Sequence, residues 1–518
     1  MPLTRRDALL VAAVMALALV LRALPGPRTI DDAFITFRYS RNIIEGAGFV
    51  YNPGVQTLGT TTPLYTLLMA AAGGVFGAGP DSFPWYALAV SALADALTAA
   101  LLLLLARRLT GNVWAGALLG ALWALAPASV TFAVGGMETS VAILWLAAAT
   151  WMHVTGRPVW VGVFVGLGYL TRIDSLLWSG PLLLWQLGEA WRRGRGGPLA
   201  ARLPWRTWLA AALVALPWTL FAWGYFGSPV PNSLGAKTVA YALPSGAAFV
   251  RLLQFYPTPF SEYDLFGAAG ALAGIALYLP LTVVGLLYTA RRLPRLLPLL
   301  LYPWLYLAAF SLANPLIFRW YIAPPLPALM LGVLAGVWAL VDAAQAARPA
   351  WRIAPVTLAA LALLWGASSL SGWTLHPDHG ADRPAPKMAW HLIELYYRQM
   401  AEALVDDFGA TAQTRVAAGD IGTVGYFSRA HIVDTVGLVT PAMSAYYPLD
   451  PALVAPGQNY AIPPQLILDT LPDFLVTMEA FVRLGLAQDA RFQGAYTLVK
   501  EIPTAFYGTG MRLYQRAP

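Results

Sequence analysis

Of the chain's 518 residues, 58% are apolar and only 11% charged, against about a quarter charged in ordinary soluble domains, which excludes a soluble globular protein and implies a polytopic α-helical membrane protein. The net charge of +7 falls in small arginine clusters between apolar runs, so membrane topology accounts for it better than a nucleic-acid partner does. The absence of cysteine excludes disulfides, thiolate catalysis and Cys-ligated metals.

A membrane span needs roughly 20 apolar residues. Eleven predicted transmembrane helices follow in chain order, near 8–24, 84–106, 112–130, 138–155, 158–173, 174–188, 207–226, 263–290, 296–313, 320–342 and 353–373. The basic start before the first run, without a small-residue cleavage site after it, reads as a retained signal anchor. With the N-terminus cytoplasmic, the clusters Arg5/Arg6, Arg107/Arg108, Arg157, Arg192/Arg193, Arg291/Arg292 and Arg348 all lie inside. The outward loops then hold Asp31/Asp32, residues 228–262 and 314–319, and everything after about 374. The apolar stretch 63–79 would break this alternation as a span, so it is expected to form an interfacial or re-entrant helix within the first outer loop, 25–83.

After residue 373 the composition turns polar. Short β-like runs at 416–418, 431–433, 474–476 and 496–499 are separated by helical patterns. Residues 1–373 are therefore expected to form a transmembrane domain, and 374–518 an extracytoplasmic α/β domain.

The candidate chemistry gathers on the outer face. Asp31 and Asp32 are adjacent carboxylates at a membrane edge, where like charges repel and burial is costly. Such a carboxylate can take a hydroxyl proton, and a pair can bind a divalent cation through oxygens; in a solvated loop the pair would do neither. Arg38 follows, and arginine can hold a phosphate bidentately. Glu138 opens the fourth span, Arg172 and Asp174 form the tip of the short hairpin, Asn232 leads to Lys237, and Arg319 and Tyr321 begin the tenth span. Singly, each has a plain structural role: a local ion pair for Arg172 with Asp174, a helix cap for Glu138, snorkelling to headgroups for Lys237 and Arg319. Their convergence on one face is what points to a site. No P-loop, no Gly-rich dinucleotide turn and no Gly-x-Ser-x-Gly is present.

These motifs carry a resemblance. Asp31-Asp32-Ala33-Phe34-Ile35, Asn52-Pro53-Gly54, Gly136-Met137-Glu138-Thr139, Arg172-Ile173-Asp174, Gly227-Ser228-Pro229-Val230-Pro231-Asn232, Arg319-Trp320-Tyr321, and the stretch from Gly419-Asp420-Ile421-Gly422 to Asp434-Thr435-Val436-Gly437-Leu438 make the chain resemble the GT-C superfamily of polyprenyl-phosphate-sugar glycosyltransferases. Within it, the chain resembles the arabinofuranosyltransferase B-like group of actinobacterial cell-wall enzymes. The resemblance implies a GT-C fold with about eleven transmembrane helices and a C-terminal extracytoplasmic α/β domain in the cell membrane. It implies transfer of a sugar from a polyprenyl-phosphate donor to a glycan, protein or lipid hydroxyl on the extracytoplasmic face. By the same resemblance Asp31 is the catalytic carboxylate, and Asp32 assists it, orients the acceptor or holds a divalent cation, the one cofactor suggested. Arg38, Arg172, Lys237 and Arg319 would bind the donor phosphate; Glu138, Asp174, Asn232 and Tyr321 would contact substrate. The chain departs from the family at Arg172-Ile173-Asp174, where an Arg-Pro-type motif is usual. It departs again at Gly59-Thr60-Thr61-Thr62-Pro63, where relatives often carry a Glu before a Gly-(Tyr/Phe)-Thr step, so sugar and acceptor stay open, as does inversion or retention. Protein O-glycosyl and lipid-modifying transferases share the fold, and a non-catalytic transport or assembly protein is the reading from another class. A transporter would show paired repeats and broken spans, and none is evident.

Overall fold

The computed structural model describes residues 4–241, 243–261, 263–373 and 392–518, apart from the side chains of Tyr263, Asp264 and Arg319. Every expected span falls on a helix: Arg5–Ala23, Ser82–Thr110, Val113–Leu125 continued by Pro127–Val134, Thr139–Val154, Pro158–Thr171, Leu176–Arg193, Trp205–Phe226, Tyr263–Arg292, Leu297–Ala313, Leu326–Ala347 and Ile353–Ser371. Among the described residues six helices are long and apolar enough to cross a membrane, or seven with the bent pair counted as one. Eleven full crossings are thus more than length and composition support. The pair bends by 51° at Pro127, whose ring and missing N–H interrupt the helical ladder. At 1.5 Å per residue, the 16-residue helix Thr139–Val154 and the 14-residue helix Pro158–Thr171 reach only about 24 and 21 Å, short of a hydrocarbon core of about 30 Å. Glu138 and Arg172, at the adjoining ends of these two helices, border the recess that becomes the site.

Two devices hold the bundle. Arg22 at the end of the first helix donates from Nε to Asp95 Oδ2 at 3.1 Å, with both side chains wholly buried. Its other nitrogens reach Ala124 O at 2.6 Å and Ser129 Oγ at 2.9 Å. A buried pair supported by such hydrogen bonds is tolerable, and losing one partner would leave an uncompensated charge. Small residues close other contacts: a Cβ on Gly162 would stand 2.2 Å from the Thr207 carbonyl, so the backbones of Pro158–Thr171 and Trp205–Phe226 meet directly.

The stretch expected to be interfacial folds as Pro63–Phe76, a 14-residue apolar helix packed against Asp31–Ile44. The C-terminal region builds a five-stranded sheet in the order β2-β1-β3-β5-β4, from β1 (Arg415–Ala418), β2 (His431–Asp434), β3 (Phe474–Met478), β4 (Tyr496–Pro503) and β5 (Gly510–Arg516). The first three strands are parallel, and β5 runs antiparallel to β3 and β4. Continuous apolar runs suit β1 and β3, which are covered on both faces. The fifth strand was outside the sequence expectation, although Met511 and Leu513, both fully buried, carry its period-two signal.

The sheet domain docks on the loop after the first helix, with Arg38 at the centre of the seam. Arg38 is 1% exposed and donates to the carbonyls of Tyr51 (2.8 Å), Gly425 (2.7 Å) and Ala430 (2.7 Å), and to Asn52 Oδ1 (3.1 Å). Asn52 pairs like a strand residue with Ile432, donating to its carbonyl at 2.9 Å and accepting its amide at 3.0 Å. Arg41 adds a bond to the Tyr426 carbonyl at 2.8 Å.

Candidate active site

Asp31 and Asp32 open the helix Asp31–Ile44. Consecutive helical residues point about 100° apart, so the two carboxylates part company. Asp31 turns into the seam with the sheet domain: its Oδ1 accepts Thr423 N at 2.8 Å and its Oδ2 accepts Gly422 N at 2.9 Å. A Cβ at Gly422 would overlap the Asp31 carbonyl, at 1.8 Å, which requires glycine there. Burial, then the charges of Asp420 and Asp32, push the Asp31 carboxyl well above its ordinary range, against the pull of the Thr423 amide.

Asp32 faces the other way, into a cavity of about 300 Å3. Its side chain is 26% exposed, and Lys237 Nζ, 24% exposed, stands 3.5 Å from its Oδ2. Burial pulls the Lys237 ammonium down, but the Asp32 carboxylate more than offsets this and holds it above its ordinary value. Lys237 also lies over the Phe318 ring, 4.7 Å from its centre.

Opposite stands a second charged group. Arg172 donates to Asp174 from Nε at 3.0 Å and Nη2 at 2.8 Å, and from Nη1 to Glu138 Oε1 at 2.8 Å. Its guanidinium also stacks over Tyr321, 5.1 Å from the ring centre. Glu138 and Arg172 are 2% and 7% exposed, so this triad is a preset fixture, one cation between two carboxylates. Thr36, Thr60, Thr61 and Thr62 add hydroxyls, and Phe310, Leu316, Phe318 and Trp320 make an apolar wall. Ser233, 4% exposed, also lines the cavity, and its hydroxyl has no hydrogen-bond partner among the described residues.

The fold therefore brings together six of the expected residues: Asp32, Glu138, Arg172, Asp174, Lys237 and Tyr321. Three others need correction. Asp31 does not line the cavity, because the Gly422 and Thr423 amides occupy both its oxygens. Arg38 is no phosphate ligand, since its donors are committed to carbonyls across the seam. Asn232 donates to the carbonyls of Gly437 (2.6 Å) and Leu438 (3.1 Å), fixing a loop, and does not line the cavity. The Arg319 side chain lies outside the described residues. Of the adjacent acids only Asp32 lines the cavity, and among the described residues there is no group of three or more His, Asp or Glu that could hold a metal.

Sequence reasoning gave no role to Asp420, which accepts a hydrogen bond from Tyr397 at 2.8 Å. Burial holds its carboxyl above the usual range, with the Tyr397 bond and Lys237 opposing and Asp32 adding to the rise. Its signal was present, an acid directly after an apolar strand run, but the chain distance to Asp32 hid the neighbourhood.

Residues 389–515 match a family described as a domain of unknown function, DUF8728. The chain is 27% identical over 239 residues to the terminal β-(1→2)-arabinofuranosyltransferase of Mycobacterium tuberculosis, a match covering 40% of this chain and 35% of that one. It thus spans about a third of the length of that curated relative. In structure it resembles ArnT from Cupriavidus metallidurans, with a TM-score of 0.57 at 15% identity over 98% of this chain and 97% of the other. It also resembles the oligosaccharyltransferase AglB from Archaeoglobus fulgidus, with a TM-score of 0.56 at 13% identity over 98% and 74%. ArnT has been solved with undecaprenyl phosphate bound, and AglB with a dolichol phosphate and an inhibitory peptide. The chain has the GT-C fold, is arabinofuranosyltransferase-like in sequence, and is a multi-pass membrane protein.

Proposed function

We propose that the protein is an integral membrane glycosyltransferase that moves a sugar from a polyprenyl-phosphate donor to an acceptor hydroxyl in the Asp32 cavity. The observation that carries this reading is the contrast between the cavity's acids. Glu138 and Asp174 are locked onto Arg172, whereas among the described residues Asp32 has only the longer ion pair with Lys237. Asp32 is thus the carboxylate placed to take a proton. In the proposed step the acceptor oxygen bonds to the sugar's anomeric carbon as the bond from that carbon to the phosphate oxygen breaks. The hydroxyl proton passes to Asp32, and the polyprenyl phosphate leaves with the bonding electrons. Lys237 stabilises the charge that develops on the phosphate, and the aromatic wall of Phe318 and Trp320 accommodates the first isoprene units.

Orientation follows the charges. The cavity lies at the helix ends away from Arg107/Arg108, Arg192/Arg193 and Arg291/Arg292, which the positive-inside rule assigns to the cytoplasm. On this reading the cavity and the sheet domain face outward, where no nucleotide-sugar pool exists and an activated sugar arrives on a lipid. The matches to lipid-phosphate-bound GT-C structures support a donor of this kind, and the arabinofuranosyltransferase-like sequence makes an arabinofuranosyl donor the first to try.

The test is transfer by the protein in lipid from radiolabelled polyprenyl-phosphate sugars to a mixed glycan acceptor. Turnover with at least one donor is expected, and Asp32→Asn should abolish it. Binding of sugar-lipids without turnover of any donor would replace this reading with a carbohydrate-binding or assembly role.

A further inference from the structure

The opposite end of the bundle holds a second cavity, of about 380 Å3. It lies where Thr139–Val154 and Leu176–Arg193 end and where Pro158–Thr171 and Trp205–Phe226 begin. His153 follows Glu138 by fifteen residues of helix, which separates the two cavities by about 22 Å. The surrounding arginines alone are unremarkable, since basic residues gather on one side of any polytopic protein. Two features go beyond that rule.

The first is an unsatisfied polar floor. His153 and Gln186 are 3% and 7% exposed, and they touch through Nδ1 and Nε2 at 3.3 Å. Among the described residues His153 Nε2 and Gln186 Oε1 have no partner, although buried polar atoms are ordinarily paired. The second is an excess of cation on the walls. Glu189, the acid lining this cavity among the described residues, is held by Arg295 at 2.8 Å and Arg193 at 2.8 Å. Arg157 and Arg206 line the same space with no carboxylate partner among the described residues. The helices starting at Pro158 and Trp205 have no side-chain cap, so their N-termini add positive potential.

We infer that this cavity binds a phosphate ester, with Arg157, Arg206 and Arg295 on the phosphate oxygens and Gln186 Oε1 accepting from a neighbouring hydroxyl or amine. Arginine forks match phosphate geometry, and basic pockets between helices at a membrane face take lipid headgroups. The same chemistry could come from an anionic phospholipid or from a soluble phosphoester. The site is independent of the transfer reaction and stands if that reaction is disproved.

The experiment compares wild type, Arg157→Gln/Arg206→Gln, and Arg291→Gln/Arg292→Gln as an off-cavity control on the same face. Each protein, in delipidated detergent, is titrated with phosphatidylglycerol, with phosphatidylcholine, and with inorganic phosphate against chloride at matched ionic strength. Thermal shift and native mass spectrometry are the readouts. Stabilisation of wild type and control by phosphatidylglycerol, weakened about tenfold or more in the Arg157/Arg206 variant, supports a lipid headgroup. The same pattern with inorganic phosphate supports a soluble phosphoester. No anion-specific stabilisation, or an equal response from all three proteins, overturns the site. Unchanged unliganded melting temperatures show that the substitutions leave the fold intact.

Discussion

Two arginines stand at the same end of the bundle and make different contacts. Arg172 meets carboxylates at the mouth of a cavity, and Arg38 meets mainly backbone carbonyls in a closed seam. The neighbouring aspartates divide in the same way: Asp32 shares a solvated space with Lys237, while Asp31 spends both oxygens on the Gly422 and Thr423 amides. The difference teaches that the loop after the first helix has two faces. One lines the cavity where the transfer is proposed, and the other fastens the sheet domain.

The sharpest way to break this division is to remove its reactive member. Asp32→Asn is expected to lower transfer by about 100- to 10,000-fold, the usual contribution of a positioned base, with the melting temperature near that of wild type. A transfer assay beside a melting curve checks both halves. Next in size is the seam. Arg38→Met removes the partner of three carbonyls and a side-chain oxygen, and an unpaired buried polar group costs about 1–3 kcal/mol, so the C-terminal domain should loosen by several kcal/mol in denaturant and become open to protease. Lys237→Met should follow, slowing transfer about 10- to 100-fold through a weaker hold on the leaving phosphate, with single-turnover kinetics as the readout.

The smallest effect is on pH dependence. Burial raises the Asp31 carboxyl, so the folded state holds its proton to higher pH than the unfolded chain does. That contribution to stability is full below the unfolded value near pH 4 and is lost as pH rises toward neutrality. Asp31→Asn should flatten this slope in melting temperature between about pH 4 and 8, whereas Asp32→Asn should leave it largely in place.

Much of this was legible in the sequence. The apolar runs fall on helices and the β-like runs after residue 373 on strands of the sheet, and Asp32, Glu138, Arg172, Asp174, Lys237 and Tyr321 line one cavity. What escaped was direction. Whether Asp31 or Asp32 faces the cavity depends on a 100° turn and on where Gly422 docks, 391 residues away. Arg38 read as a phosphate ligand because nothing local shows that its acceptors are carbonyls 387 and 392 residues downstream. The number of membrane crossings escaped for another reason, since apolarity marks a helix but not whether its 14 or 16 residues reach across a bilayer.

The most direct test of the division of labour is to measure transfer rate and melting temperature together for Asp31→Asn and Asp32→Asn in the same lipid. The two-faced loop predicts that Asp32→Asn loses transfer at a nearly wild-type melting temperature, while Asp31→Asn shifts melting and keeps most of its transfer. Loss of transfer in Asp31→Asn with full activity in Asp32→Asn would contradict it.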